Sequence, residues 1–235
     1  LNKRRYDSDL AKEIIGEKAI ELFSLKGYTR TSIDNIAKAS GYSKGHIYYH
    51  YKNKEELFVY LAKDSMKNWH DKWKMAEKKY TNATEKLYGM AKFVLYNYKT
   101  PLLRAGQELA SDPSTNPSIV QQLYGLAVVP LKVYQQILDE GIKSGEFYMK
   151  NVEGSCLLLG SWLGGLCQFI HSIEIEKLEV LFEEAIKIFY SLFQTNICSV
   201  TSELERLFKS LHSSVFIICI NNRRLFIWMS KESQL

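Results

Sequence analysis

The chain is poor in the residues that break or staple a fold: 4 Pro, 4 Cys and 13 Gly in 235 residues. So little proline and glycine excludes collagen-like and low-complexity chains, and 46% hydrophobic with 24% charged residues is ordinary globular composition. The cysteines (Cys156, Cys167, Cys198, Cys219) show no CxxC spacing and no clustering with histidine. Neither a zinc site nor a disulfide framework is expected, and a reducing cytoplasm is the natural compartment. A membrane span needs roughly 20 apolar residues. The most apolar stretch, Cys156 to Ile170, is interrupted by Ser161 and Gln168 and suits a buried helix. No secretory leader is expected either, since the first residues are charged and polar. There is no nucleophile elbow, P-loop, Rossmann glycine pattern or carboxylate pair in a cleft context. An enzyme reading therefore has no residues to rest on, and no cofactor is implied.

What the chain does have is charge in one place. Residues 1–54 hold 11 Lys and Arg against 6 Asp and Glu, which accounts for the whole net charge of +5. The remainder balances to zero. A basic end points to a polyanionic partner there and to a different task elsewhere.

The apolar periodicity is helical almost throughout. Ala11, Ile14, Ile15, Ala19, Leu22 and Phe23 form one stripe, with Ser8 or Asp9 to cap it and Gly27 to end it. One long helix is expected from Lys54 to about Lys79 and another from Glu85 to about Asn97. The stretch 111–117 (SDPSTNP) is a loop, and Pro130 should kink or divide the helical stretch Gln121–Lys143. Val152–Ile170 and Glu174–Phe193 form two further antiparallel helices. The expected fold is all-α.

Residues 31–51, TSIDNIAKASGYSKGHIYYHY, carry the most specific signal. Ile33, Ile36 and Ala37 mark one face of a short helix that Thr31 or Ser32 can cap. Gly41 supplies the positive φ of a tight turn, Ser43 caps the next helix, and Ile47 packs back on the first. Two short helices crossing steeply at this spacing make a helix-turn-helix, whose second helix enters the DNA major groove. Lys44, Gly45, His46, Tyr48, Tyr49 and His50 are then left facing outward. Lys44 can donate to guanine O6 and N7, Gly45 lets the backbone approach a base edge, and His46 can donate to a base or phosphate. Tyr48 and Tyr49 offer hydroxyls to phosphates, while Thr31, Ser32 and Lys54 can grip the DNA backbone at helix N-termini. His46 and His50, four apart, also have a metal-binding spacing, but with no third ligand no metal is expected.

The run GYTRTSIDNIAKASGYSKGHIYYHYKNKEEL closely resembles the DNA-binding half of the TetR family of transcriptional repressors, and Trp69 and Trp73 downstream extend the likeness to its multidrug-binding members. The resemblance implies a homodimer. Three N-terminal helices would bind a double-stranded palindromic operator, and a C-terminal helical domain would take a small-molecule inducer. The partner contact would map to 152–170 and 174–193. It also places Trp69, Glu108 and Tyr134 near a ligand site. Where the multidrug-binding members carry further pocket acids, this chain has Ala127 and other neutral residues.

The residues themselves allow an aromatic pocket for a hydrophobic, drug-like or cationic compound. Trp69, Trp73, Tyr96, Gln107, Glu108, Tyr124, Tyr134 and Trp162 are its candidates, with Glu108 the expected acid. Core packing competes at every one of these aromatics, and Glu108 has an alternative partner in Arg104 one turn earlier. Acyl-CoA or lipid-like inducers remain a second possibility, and an inducer-independent structural DNA-binding protein a third. The expected layout is a DNA-binding domain at 1–54, a ligand-binding and dimerisation domain at 55–195, and a tail at 196–235. In that tail 202–211 suits a short capped helix, and 215–220 with 225–229 suits a hairpin, an unstructured segment or a non-native extension.

Overall fold

The structure, a computed structural model, describes residues 3–98, 102–170, 172–193, 216–221 and 224–229. The chain packs as two compact units, Leu1–Phe193 and Gln194–Leu235. The first is all-α, with ten α-helices among its described residues. α1 (Lys3–Lys26) begins earlier than Ser8 and buries Ala11, Ile15, Ala19 and Phe23 at four-residue steps. It ends at Gly27, whose φ of 81° closes the helix with its N–H on the Phe23 carbonyl. α2 (Ile33–Ser40) and α3 (Lys44–His50) follow, then the long α4 (Lys54–Ala76), which starts on an Asn53 cap and tightens into a 3-10 turn at Glu77–Lys79.

α5 (Ala83–Asn97) is capped by Asn82, and α6 (Leu103–Ser111) lies beyond the proline at 101. Pro130 divides the next stretch as expected. It sits in the first turn of α8 (Val128–Ser144), where a missing N–H costs nothing, while α7 (Pro117–Gly125) precedes it. α9 (Val152–Cys167) and α10 (Ile175–Phe193) complete the unit.

Two apolar cores hold this unit together. The first joins α1, α2, α3 and the start of α4, through Ile15, Phe23, Ile36, Ile47, Leu57 and Phe58. It also draws in Ala105 and Leu109 of α6 and Ile119 of α7, so packing does not stop at residue 54. The second core gathers the end of α4 with α5, α8, α9 and α10 around Trp73, Met90, Leu138, Leu163 and Phe182. α4 is the element that enters both.

In the second unit, β1 (Phe216–Asn221) pairs antiparallel with β2 (Arg224–Met229), with Asn221 opposite Arg224. That is the hairpin among the sequence alternatives. The short helix expected at 202–211 lies outside the described residues. No helix among the described residues is long and apolar enough to cross a membrane.

Candidate DNA-reading helix and ligand cavity

α2 and α3 are built by local chemistry. The Ser32 hydroxyl accepts from the Asn35 N–H at 3.1 Å, and the Asn35 side chain accepts from the Ser32 N–H at 3.0 Å, a reciprocal cap. Gly41, with φ of 76°, ends α2, and the Ser43 hydroxyl accepts from the His46 N–H at 3.1 Å to start α3. Ile47 is fully buried beneath. The outward face of α3 then carries Ser43, Lys44, Gly45, Tyr48 and Tyr49, with Tyr49 79% exposed. Lys44 pairs with Asp34 of α2 across this face.

Four of the expected DNA contacts are placed differently. The Thr31 hydroxyl is buried and donates to the carbonyls of Gly27 (2.8 Å) and Leu22 (3.2 Å), so it secures the end of α1 instead of reaching a phosphate. Lys54 donates to the carbonyls of Tyr28 (3.1 Å) and Thr31 (2.9 Å), with its ammonium 4.0 Å from the centre of the Tyr28 ring. Burial lowers its pKa. His46 and His50 lie half-buried, with ring centres 5.2 Å apart and both Nε2 atoms shielded without a hydrogen-bond partner. Burial, then His46 and Lys12, lower the pKa of His50. No group of three or more His, Cys, Asp or Glu side chains among the described residues could hold a metal.

Glu108 is also relocated. Its carboxylate is not on the wall of the cavity described below; it accepts from the backbone N–H of Tyr28 at 2.9 Å and of Thr29 at 3.4 Å. Arg104 stands 3.6 Å away on the same helix. Glu108 lies over Gly27 so closely that a Cβ there would come within 2.5 Å of both carboxylate oxygens. The turn from Gly27 to Thr31, which leads into α2, is thus gripped from two sides. An anion on α6 holds its N–H groups, and a cation on α4 holds its carbonyls.

Behind this clamp lies a cavity of about 350 Å³. Met66 and Trp69 of α4, Val94, Asn97 and Tyr98 at the end of α5, and Leu103 of α6 form part of its wall. The rest is Ala127, Pro130, Leu131 and Tyr134 around α8, with Leu157, Gly160, Ser161 and Gly164 of α9. None of these is charged. Its polar groups are few: the Asn97 amide donates to the Phe93 carbonyl at 2.9 Å, and the Tyr98 hydroxyl accepts from Gln168 at 2.9 Å. Burial raises the pKa of both Tyr98 and Tyr134, so the phenols stay neutral.

Of the expected ligand residues, Trp69 and Tyr134 line this cavity. Trp73 is wholly buried between Phe93 and Tyr80, with ring centres at 5.4 and 6.1 Å. Tyr96 turns outward and donates to Glu179 at 2.7 Å; Tyr124 is 68% exposed on α7, and Gln107 is exposed on α6. Trp162 packs edge-on against Phe189. Sequence reasoning missed Met66, Asn97 and Leu131 altogether. Gly160 lets α8 come close, since a Cβ there would meet Leu131 at 3.3 Å and Tyr134 at 3.4 Å, whereas a Cβ at Gly164 would meet nothing within 4 Å.

A helix-turn-helix joined through α4 to a helical domain with an apolar cavity is the layout of a two-part DNA-binding regulator. Residues 15–61 match the family described as bacterial regulatory proteins, tetR family, and residues 65–194 match the QacR-like protein C-terminal region. The chain belongs to the TetR family of transcriptional regulators. It is 30% identical over 176 residues to the HTH-type transcriptional regulator QacR of Staphylococcus aureus, covering 72% of this chain and 90% of that protein. It is 28% identical over 135 residues to the fatty acid metabolism regulator protein of Bacillus subtilis, covering 55% of this chain and 67% of that protein. Among solved structures, a transcriptional regulator from Mesorhizobium loti superposes with a TM-score of 0.69 at 18% identity, covering 80% of this chain and 98% of that one. These relatives are named as regulators.

Proposed function

We propose that the chain is a homodimeric repressor that holds a palindromic operator through α3 and releases it when an uncharged, apolar portion of a small molecule fills the cavity. The observation that carries this reading is the clamp on the 27–31 turn. The two helices that grip it, α4 and α6, also send Trp69 and Leu103 into the cavity wall. A ligand that displaces either wall acts on the segment that positions the helix-turn-helix, which is the differential contact a switch requires. The dimer is supported by apolar side chains left exposed on α9 and α10, among them Leu157, Leu158, Leu181, Ile188 and Leu192. In the dimer two α3 helices would address half-sites roughly 34 Å apart.

The absence of any charged side chain from the cavity wall favours inducers that insert an acyl chain or another uncharged apolar group over cationic drugs. The relative named for fatty acid metabolism supports the same class. The regulated genes would be its own operon or one for an efflux pump. The test starts from an operator selected from genomic fragments with the purified chain. Its anisotropy is then titrated with a long-chain acyl-CoA, the neutral probe N-phenyl-1-naphthylamine and a cationic dye. Release by the first or second supports the reading. An operator affinity unmoved by compounds that do bind the cavity would leave an inducer-independent DNA-binding protein instead.

A further inference from the structure

From Leu22 to Lys54 the chain carries six basic side chains and a single carboxylate, Asp34. That carboxylate stands in the first turn of α2 and meets the first residue of α3: its Oδ1 accepts from the Lys44 Nζ at 2.5 Å. Asp34 is not spent on starting its own helix, because Ser32 and Asn35 cap each other there. The Lys44 and Asp34 side chains remain 54% and 66% exposed, so the pair faces outward and not into the core. We propose that Asp34 is a positioning and specificity-determining residue for operator reading: it aims the Lys44 ammonium at a guanine edge while cancelling the charge that would hold any phosphate.

This role rests on α3 being the operator-contacting helix. An ammonium has three N–H donors. With one held by Asp34, two remain, which is the number that guanine O6 and N7 require. The long lysine side chain is also ordered before it meets the base, so less rotamer freedom is lost on binding. A phosphate is a different acceptor. It attracts a cation by charge and carries no sequence information, and an ammonium already neutralised by Asp34 gains little there and releases no counterion. A free Lys44 would strengthen binding to every DNA alike. A paired Lys44 rewards the matching base.

The test compares the full chain with Asp34→Asn, Asp34→Glu, Lys44→Gln and the double variant Asp34→Asn/Lys44→Gln. Each is titrated on a selected operator and on a scrambled duplex of the same length, by anisotropy across a salt series, with thermal melts in parallel. Asp34→Asn should tighten binding to the scrambled duplex roughly two- to fivefold, the weight of one exposed charge pair. Its log–log salt dependence should steepen by about 0.9, as one added phosphate contact requires. Operator affinity should gain less, so the ratio of the two affinities falls. Asp34→Glu, which keeps the carboxylate, should restore most of that ratio. In the Lys44→Gln background, adding Asp34→Asn should leave the ratio unchanged. An equal or larger gain on the operator would make Asp34 a competitor for Lys44 and overturn the proposal, as would a fall in the ratio that persists without Lys44. A lower melting temperature with an unchanged ratio would assign Asp34 to the stability of α2 instead. Operator affinity unmoved by Lys44→Gln would take the reading of α3 down as well, whereas the other adverse outcomes leave it standing.

Discussion

The cavity and a more open groove of about 470 Å³, lined by Tyr80, Tyr88, Phe182, Glu85, Glu179 and Glu183 between α5 and α10, share one wall and have opposite chemistry. α5 turns Val94, Asn97 and Tyr98 to the first and Tyr88, Gly89 and Lys92 to the second. Between them runs a row of rings: Trp69 on the cavity, then Phe93, Trp73 and finally Tyr80 on the groove, at centre distances of 5.3, 5.4 and 6.1 Å. Where five helical elements converge, an ionised group would lose its water without a partner, and none is found. Where only α5 and α10 meet, carboxylates keep their hydration. The difference teaches that aromatic content does not by itself define a ligand; the openness of the surrounding helices decides which charges can accompany the rings.

The contrast breaks most completely by removing its partition. Trp73→Ala should cost about 3–5 kcal/mol of stability in chemical denaturation. Trp73→Phe should cost much less, because the indole N–H has no hydrogen-bond partner to lose. A loss from Trp73→Ala of ligand affinity alone, with stability unchanged, would return Trp73 to the binding surface.

The shared wall has its own anchor. Glu146, beyond α8, accepts from the N–H groups of Ala83 (3.1 Å) and Thr84 (2.8 Å) and from the hydroxyls of Thr84 and Ser144 (2.7 Å each), which caps the start of α5. Burial opposes ionisation here, yet these hydrogen bonds, from Ser144 and Thr84 first, bring its pKa down to about 2. A depressed carboxylate stabilises the fold above the unfolded-state value near 4.5, and that contribution fades as pH falls toward 2. Glu146→Gln should therefore destabilise the neutral-pH protein by about 1–3 kcal/mol and flatten its acid-unfolding profile between those values. An unchanged profile would show that α5 is held elsewhere.

Gly160→Leu sharpens the contrast at the ligand level. N-phenyl-1-naphthylamine should lose at least about tenfold in affinity, or about 1.4 kcal/mol. The smallest effect is expected from Glu108→Gln. It keeps shape and weakens the hold on Tyr28 and Thr29, so stability should fall by only about 1 kcal/mol. Operator affinity should change several-fold less on adding the cavity ligand, while affinity for that ligand itself stays constant. A matching drop in ligand affinity would put Glu108 back in the pocket.

The helix-turn-helix was legible because its determinants are close in sequence: Ile33, Gly41 and Ile47 set the crossing, and Ser32 and Ser43 the caps, all within 16 residues. The cavity was not legible for the opposite reason. Trp69 and Trp73 are one turn apart on α4 and look alike in sequence, yet one meets space and the other is closed in by Tyr80 and Phe93 from elsewhere. Glu108 was the expected pocket acid, but its partners are backbone N–H groups 79 and 80 residues away. Backbone donors carry no side-chain signature. The same blindness put Lys54 on DNA, because its acceptors are carbonyls. Helix ends are set more locally: Asn53, Asn82 and Asn151 cap the starts of α4, α5 and α9, and Gly145 closes α8.

The contact between Gly27 and Glu108 has an evolutionary corollary. A side chain at 27 is strained by the backbone conformation and meets the two oxygens above it. A relative with a larger residue at 27 has to turn the acid at 108 aside or shorten it, and either change loosens one of the two grips on the turn. In such a relative the operator should answer to the cavity mainly through α4.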